Sequence, residues 1–324
     1  MAKYTKKELR YLLEFDSKYQ QKVGIPNDIF EILSQDEELN VAKAPHVAYA
    51  YAYVFITAWF YKYAKYNLPF EVTDVSSIKE IIGLSPIEKR YNYIFKKGGV
   101  LDRLGITKTV NFKEASYEYV WENGDFWGFV KYEEWLAKRD SRDIDEMKAV
   151  GVNLNTKRKQ IKYPIFGLDK RIVNEEEIEG TFYEWGNSHA VPMDVFIECM
   201  TNDNLGATAF YIYAYLNSRC GMNDGSIEVS LDRMKSVTGI RHTTINTALN
   251  NLKAYNLIIC YPATFVVNKG NIETGASVYQ VVEEEYLFNQ TPTDFQKRDV
   301  IYIEQYEKKL ALMKEIENTP LWIQ

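Results

Sequence analysis

Cysteine and histidine are scarce in this chain, at three copies each in 324 residues, and the scarcity removes whole classes of chemistry. Cys199, Cys220 and Cys260 lie far apart among apolar or small neighbours, so neither a disulfide framework nor a CxxC metal pair is indicated, and reduced structural thiols in a cytoplasmic protein are expected. His46, His189 and His242 are isolated from one another, which excludes the HxH metal pair that a tyrosine-nucleophile nicking enzyme requires, although tyrosine itself occurs 25 times. The chain has no G-x-x-x-x-G-K-[ST] loop to cradle a nucleotide, no HExxH and no G-x-S-x-G turn. Acidic pairs such as Asp143 and Asp145 stand in a charged segment without catalytic partners. The expectation is a non-enzymatic protein that needs no cofactor and no metal.

Long apolar runs are also rare. The start, "MAKYTKKELRYLLEF", lacks the apolar core and small-residue cleavage site of a secretion signal, and reads as a helix capped by Thr5 with Glu8 three residues on. Ala44 to Tyr61 is uncharged over 18 residues, but Pro45, His46, Thr57 and several tyrosines interrupt it. The cost of desolvating those groups in lipid favours a central buried helix over a membrane span.

Basic residues are in the minority, 39 against 45 acidic ones, for a formal charge of −6. The acidic excess is concentrated in "SQDEE", "NEEEIEG" and "VEEE", which leaves room for local positive patches.

One order of elements occurs twice along the chain. A long aromatic helix from about 44 to 66 leads into the strand-like "FEVT", then "SSIKEIIG", then a helix opening at Ser85, then the strand-like "TKTVNFKEASYEYVWE". The second round runs from "GATAFYIYAYLNSRC" through "SIEVS", "LDRMKSVTG" and "TGIRHTTINTALNNLKAYNLI" to a hairpin with "NKGNIETG" at its tip. Helix, strand, helix, turn, helix, hairpin is the order of a winged helix. The expected fold is therefore mainly α with small β-hairpins, an α+β class, built as two tandem winged-helix domains. The boundaries read as an N-terminal helical segment (1–40), winged-helix domain 1 (41–135), a charged linker (136–185), winged-helix domain 2 (186–290) and a C-terminal helix (291–324).

In the second round Ile245, Ala248, Leu249 and Leu252 make one apolar stripe on a helix, and Gly239 suits the left-handed turn before it. The opposite face carries Thr243, Thr247 and Asn250 with Asn246 at its flank, short polar side chains able to approach base edges. Arg241 and His242 at the helix start, and Lys269 in the hairpin loop, suit phosphate or groove contacts. From 229 to 270 five basic residues meet Asp232 alone. Modules of this shape also serve as protein-interaction adaptors, with such residues merely solvated.

In the first round Ser85, Pro86 and Glu88 spell a capping box, with Ile87, Tyr91, Ile94 and Phe95 as the apolar stripe of the helix that follows. Lys89, Asn92, Tyr93 and Lys96, edged by Arg90 and Lys97, form the outer face, which is either a phosphate-contacting surface or a solvated lysine-rich one. In the linker, "NTKRKQIKYPIFGLDKR" is either a positive strap tracking phosphates or a partner for the acidic run beside it. The narrow apolar stripe of Ile303, Tyr306, Leu310 and Met313 in the tail favours docking onto the body of the chain.

The segment from "HAVPMDVF" (189–196) through "LGATAFYIYAYLNSR" to "VSLDRMKSVTGIRHTTINTALNNLKAYNLI" resembles the winged-helix domain of replication initiators and replisome organisers of low-GC Gram-positive plasmids and phages. Thr244, Ile245, Leu249, Leu252, Leu257 and Ile258 carry the likeness over roughly a third of the chain, and Arg241 stands where that family usually has a serine cap. The resemblance implies a protein that binds repeats in double-stranded DNA at an origin, recruits host replication proteins, and meets a second copy on DNA. A transcriptional regulator of a phage or mobile element is the alternative.

Overall fold

A computed structural model describes residues 3–19, 22–41, 46–68, 70–122, 125–149, 159–168, 170–173, 176–179, 187–267 and 275–317. At its centre the helices His46–Lys62 and Gly206–Cys220 pack against each other. The uncharged stretch is thus a buried helix, as the sequence predicts: Tyr51, Val54, Phe55, Trp59 and Phe60 are all sealed from solvent. Rings interlock across the contact, Phe55 with Phe210 at 4.9 Å and Tyr51 with Tyr211 at 5.4 Å between centroids. Among the described residues no helix is long and apolar enough to cross a membrane.

Tyrosine suits these helices because each ring fills the core while its hydroxyl ties the helix to a neighbouring element. Tyr211 donates to the Thr238 carbonyl at 3.2 Å and Tyr213 to that of Val282 at 3.0 Å. Tyr51 meets His189 Nε2 at 2.8 Å, and His189 Nδ1 lies 2.9 Å from Asn27 Oδ1. Burial in this cluster, with Arg219 nearby, pulls the His189 pKa down to about 3.

The N-terminal segment is more mixed than the helical one expected. Thr5 and Glu8 do form a capping box at the helix Lys6–Leu12. The strand Lys22–Pro26 follows and pairs antiparallel with Ser188–Pro192, Gly24 opposite Ala190, before the helices Ile29–Gln35 and Glu37–Val41. Arg10 reaches both Asp194 and Glu285 at 2.6 Å, so the chain start is tied to the second half. One apolar core runs from Leu9 to Phe288.

The first half departs from the expected order at two places. "FEVT" is the short helix Phe70–Thr73, in which the neighbours Val72 and Thr73 are both buried, a pattern that strand alternation against a one-sided core does not give. Asp74 then caps the helix Val75–Ile81 through the Ser77 N–H at 2.7 Å. The helix predicted to open at Ser85 forms only at Asn92–Phe95, and Ile87 of its predicted apolar stripe is 85% exposed. The physical cause is Lys79, whose buried ammonium donates to the carbonyl oxygens of Pro86 (3.2 Å) and Glu88 and to Asn92 Oδ1 (2.9 Å). A helix from Ser85 would direct those carbonyls along its own axis. Tyr91, Ile94 and Phe95 are buried as expected. The strand-like stretch after them divides into Thr107–Asn111, paired with Gln160–Pro164, and Ser116–Glu122, in a hairpin with Asp125–Lys131.

The second half follows the expected order except in the hairpin, where the strand Phe265–Val267 intervenes and pairs elsewhere. The helix Gly206–Cys220, the strand Ile227–Glu228, the helices Leu231–Thr238 and His242–Ala254, and the strands Ile258–Tyr261 and Val278–Val281 succeed one another. The last strand lies between the other two in an antiparallel three-stranded sheet. The molecule is thus mixed, with helices dominating and small sheets attached.

The tail docks only in part, with Ile303 and Tyr306 of its stripe half-buried. Val300–Tyr302 pairs in parallel with Phe265–Val267, and the helix Ile303–Glu317 then leaves Leu310, Leu312, Met313 and Ile316 exposed, at 37–57%. Four charged residues from Glu304 to Lys309 leave too few apolar positions for a wide packed face.

Candidate nucleic-acid interface

The helix His242–Ala254 is mounted by groups that the sequence makes readable. Ser230 caps the preceding helix by accepting from the Arg233 N–H at 3.2 Å. That helix stops at Gly239, which takes the left-handed region at φ +70°. A Cβ there would sit 3.0 Å from Asn40 Oδ1 and 3.3 Å from the Ser34 Cβ, so the turn is also backed by the N-terminal helices. Thr238, wholly buried, donates to the Met234 carbonyl at 2.7 Å and accepts from the Ile240 N–H at 3.3 Å.

Ile245, Ala248, Leu249 and Leu252 are buried, while Arg241, Thr243, Asn246 and Thr247 are exposed and Asn250 is half-buried. No residue of this helix is acidic. Arg241 occupies the cap position without a side-chain cap bond, leaving its guanidinium in solvent. His242 is less free than expected, because its Nε2 lies 3.0 Å from Asp232 Oδ1. The Thr247 hydroxyl donates to the Thr243 carbonyl at 3.0 Å and keeps its acceptor lone pairs outward. Lys269, with 268–274, lies outside the described residues.

The basic residues of the first half are divided between structural and free roles. Lys89, Arg90, Lys96 and Lys97 are exposed, with the Arg90 guanidinium 4.9 Å from the centre of the Tyr91 ring. Asn92 is exposed as expected but its side-chain oxygen is engaged, and Tyr93 is half-buried. Asn92 accepts from Lys79, and the Tyr93 hydroxyl meets His46 Nδ1 at 2.8 Å, its pKa pushed up to about 12 chiefly by burial. Arg103 pairs with Asp36 (2.6 Å) and Glu38 (2.7 Å), so part of "SQDEE" neutralises a cation of the first half.

Lys162 of the linker is buried instead of tracking an anion. Its ammonium lies 2.6 Å from Asp102 and donates to Thr109 at 2.9 Å. Burial pushes the Asp102 carboxyl up, but Lys162, Thr109, Thr107 and the Gly98 N–H together hold it below its ordinary value. Lys157 and Arg158 lie outside the described residues.

Sequence patterns gave no sign that the chain returns to this helix after the sheet. Asn289 N–H donates to the Tyr255 carbonyl at 3.0 Å and Thr293 N–H to that of Ala254 at 2.9 Å, which lays 293–302 beside the helix.

The helix thus presents an acid-free outer face and is held between a preceding helix and a three-stranded sheet. No protein-family model, curated protein or solved structure matches the chain.

Proposed function

We propose that residues 206–281 form a winged helix that binds duplex DNA sequence-specifically, with His242–Ala254 entering the major groove. The observation that carries this reading is the exposed row of Thr243, Asn246 and Thr247, edged by Asn250, on a helix without a carboxylate. Short hydroxyl and amide side chains hydrogen-bond base edges, and Arg241 at the helix start meets a phosphate. Lys89, Lys96 and Lys97 of the first half add attraction that does not depend on sequence.

The family resemblance assigns this binding to the initiation of plasmid or phage replication, with origin repeats as the target and host replication proteins as further partners. Selection of bound fragments from a random duplex pool tests the reading. The expected outcome is a defined consensus that Thr247→Ala and Asn250→Ala relax by about 1–3 kcal/mol for each lost base contact. Equal affinity for every sequence, before and after these changes, overturns it. Direct repeats beside an A·T-rich tract in the source DNA fit an initiator, and a lone inverted repeat at a promoter fits a regulator.

A further inference from the structure

The chain after the sheet is anchored twice. Asn289 and Thr293 bind the last carbonyls of the helix His242–Ala254, and the Phe265 N–H donates to the Asp299 carbonyl at 2.7 Å where the parallel strands begin. Between these anchors Phe295 lies under the Lys253 ammonium, 4.2 Å from ring centre to Nζ. The segment forms one wall of a groove of about 300 Å³, whose opposite wall is the flank of the helix at Asn246 and Asn250.

Three cations, Lys253, Lys297 and Arg298, line that groove, and among the described residues no carboxylate does. Asp294 and Asp299, the acidic residues of the same segment, are outside the lining. Lys297 and Arg298 are exposed, and among the described residues none of the three cations has a carboxylate partner. Burial, and Arg298 beside it, hold the Lys253 ammonium below its ordinary pKa, against an opposing pull from Cys260. Like charges gathered without a counter-charge leave a site whose electrostatics are completed by an anion.

We infer that the C-terminal segment 293–302 is part of the nucleic-acid interface, with Lys297 and Arg298 gripping the backbone phosphates of the DNA strand that runs beside Asn246 and Asn250. The inference rests on the DNA-reading function proposed above. The strap contributes affinity without reading bases, and it joins the helix to the sheet so that both meet the duplex as one rigid body.

The test is the salt dependence of binding by the full chain to its selected duplex, for wild type, Lys297→Ala/Arg298→Ala, and a control, Lys308→Ala/Lys309→Ala, on the exposed tail helix. Two lost phosphate contacts lower the log–log salt slope by about 1.8, so the drop in affinity between about 50 and 200 mM salt shrinks by about twelvefold. The same consensus and the wild-type melting temperature are expected to be retained, because both replaced side chains are exposed. A wild-type slope for Lys297→Ala/Arg298→Ala overturns the inference, and so does an equal loss of slope in the control, which assigns the effect to net charge. If Thr247→Ala and Asn250→Ala still relax base preference in either case, the DNA-reading function survives while the strap does not.

Discussion

Replacing Lys162 with methionine separates a structural lysine from a phosphate-binding one. Methionine retains the apolar stem in its buried setting and removes the charge that lies 2.6 Å from Asp102 and 2.9 Å from Thr109. Breaking a buried ion pair from one side costs about 3–5 kcal/mol. Asp102 would still accept from Thr109 (2.6 Å), Thr107 (2.7 Å) and the Gly98 N–H (2.9 Å), which places the loss near the lower limit, about 3 kcal/mol. Urea unfolding followed by tryptophan fluorescence measures it, with Asp102→Asn and the double variant completing a cycle whose coupling energy should exceed about 1 kcal/mol. Because Asp102 has a folded pKa below its ordinary value, its contribution is complete above about pH 4 and disappears as pH falls through the folded value. Asp102→Asn therefore removes part of the acid sensitivity. A Lys162→Met loss below about 1 kcal/mol, together with a reduced salt slope in DNA binding, would refute the argument and return this lysine to a phosphate-tracking strap.

Gly239→Ala should cost about 1–2 kcal/mol for the left-handed backbone alone, with a further increment from the Asn40 contact, read from the shift in urea midpoint. Unchanged stability would mean that the turn relaxes freely and does not fix the angle of the following helix. His189, with its folded pKa of about 3 against 6.5, contributes stability that is complete above about pH 6.5 and declines as pH falls, by about 1.4 kcal/mol per unit until the folded value is reached. His189→Gln should flatten that slope between about pH 4 and 6, and an unaltered slope assigns the acid sensitivity elsewhere. Truncation after Tyr302 should leave the melting temperature within about 1 °C of the full chain, because the helix it removes buries little apolar surface; a drop of several degrees would show that the helix packs on the body after all.

How far the sequence can be read depends on how local the deciding interaction is. The stripe Ile245, Ala248, Leu249 and Leu252, the left-handed Gly239 and the Thr5–Glu8 box each involve neighbours within two helical turns, and all appear where the pattern puts them. Ser85–Glu88 spells the same box, yet Lys79, on another element, takes the carbonyls and the helix does not start. The strand Lys22–Pro26 carries a glycine and ends in proline, and its existence depends on a partner at Ser188–Pro192. On the helix His242–Ala254, the exposed positions of Thr243, Asn246 and Thr247 are legible because period alone sets their face. The engagement of Asn92 by Lys79 and of Tyr93 by His46, the burial of Lys162 and the arrival of Lys297 and Arg298 beside the helix are tertiary events with no local trace.

The pairing of Lys22–Pro26 with Ser188–Pro192 also puts a clock on the molecule. The hydrogen bond between Asn27 and Asn187 closes a separation of 160 residues. At a synthesis rate of roughly 5–20 residues per second, the N-terminal strand waits roughly 8–32 s for its partner to be made. Throughout that interval Val23, Ile25 and Phe30, all fully enclosed in the finished fold, have no second half to cover them. Ser34 and Asn40, which back the turn at Gly239, stand on helices immediately after that waiting strand. This strand, translated well before its partner, is therefore among the last parts to be fixed, and the helix His242–Ala254 acquires its full support only once the ribosome has carried both ends of the pairing into reach.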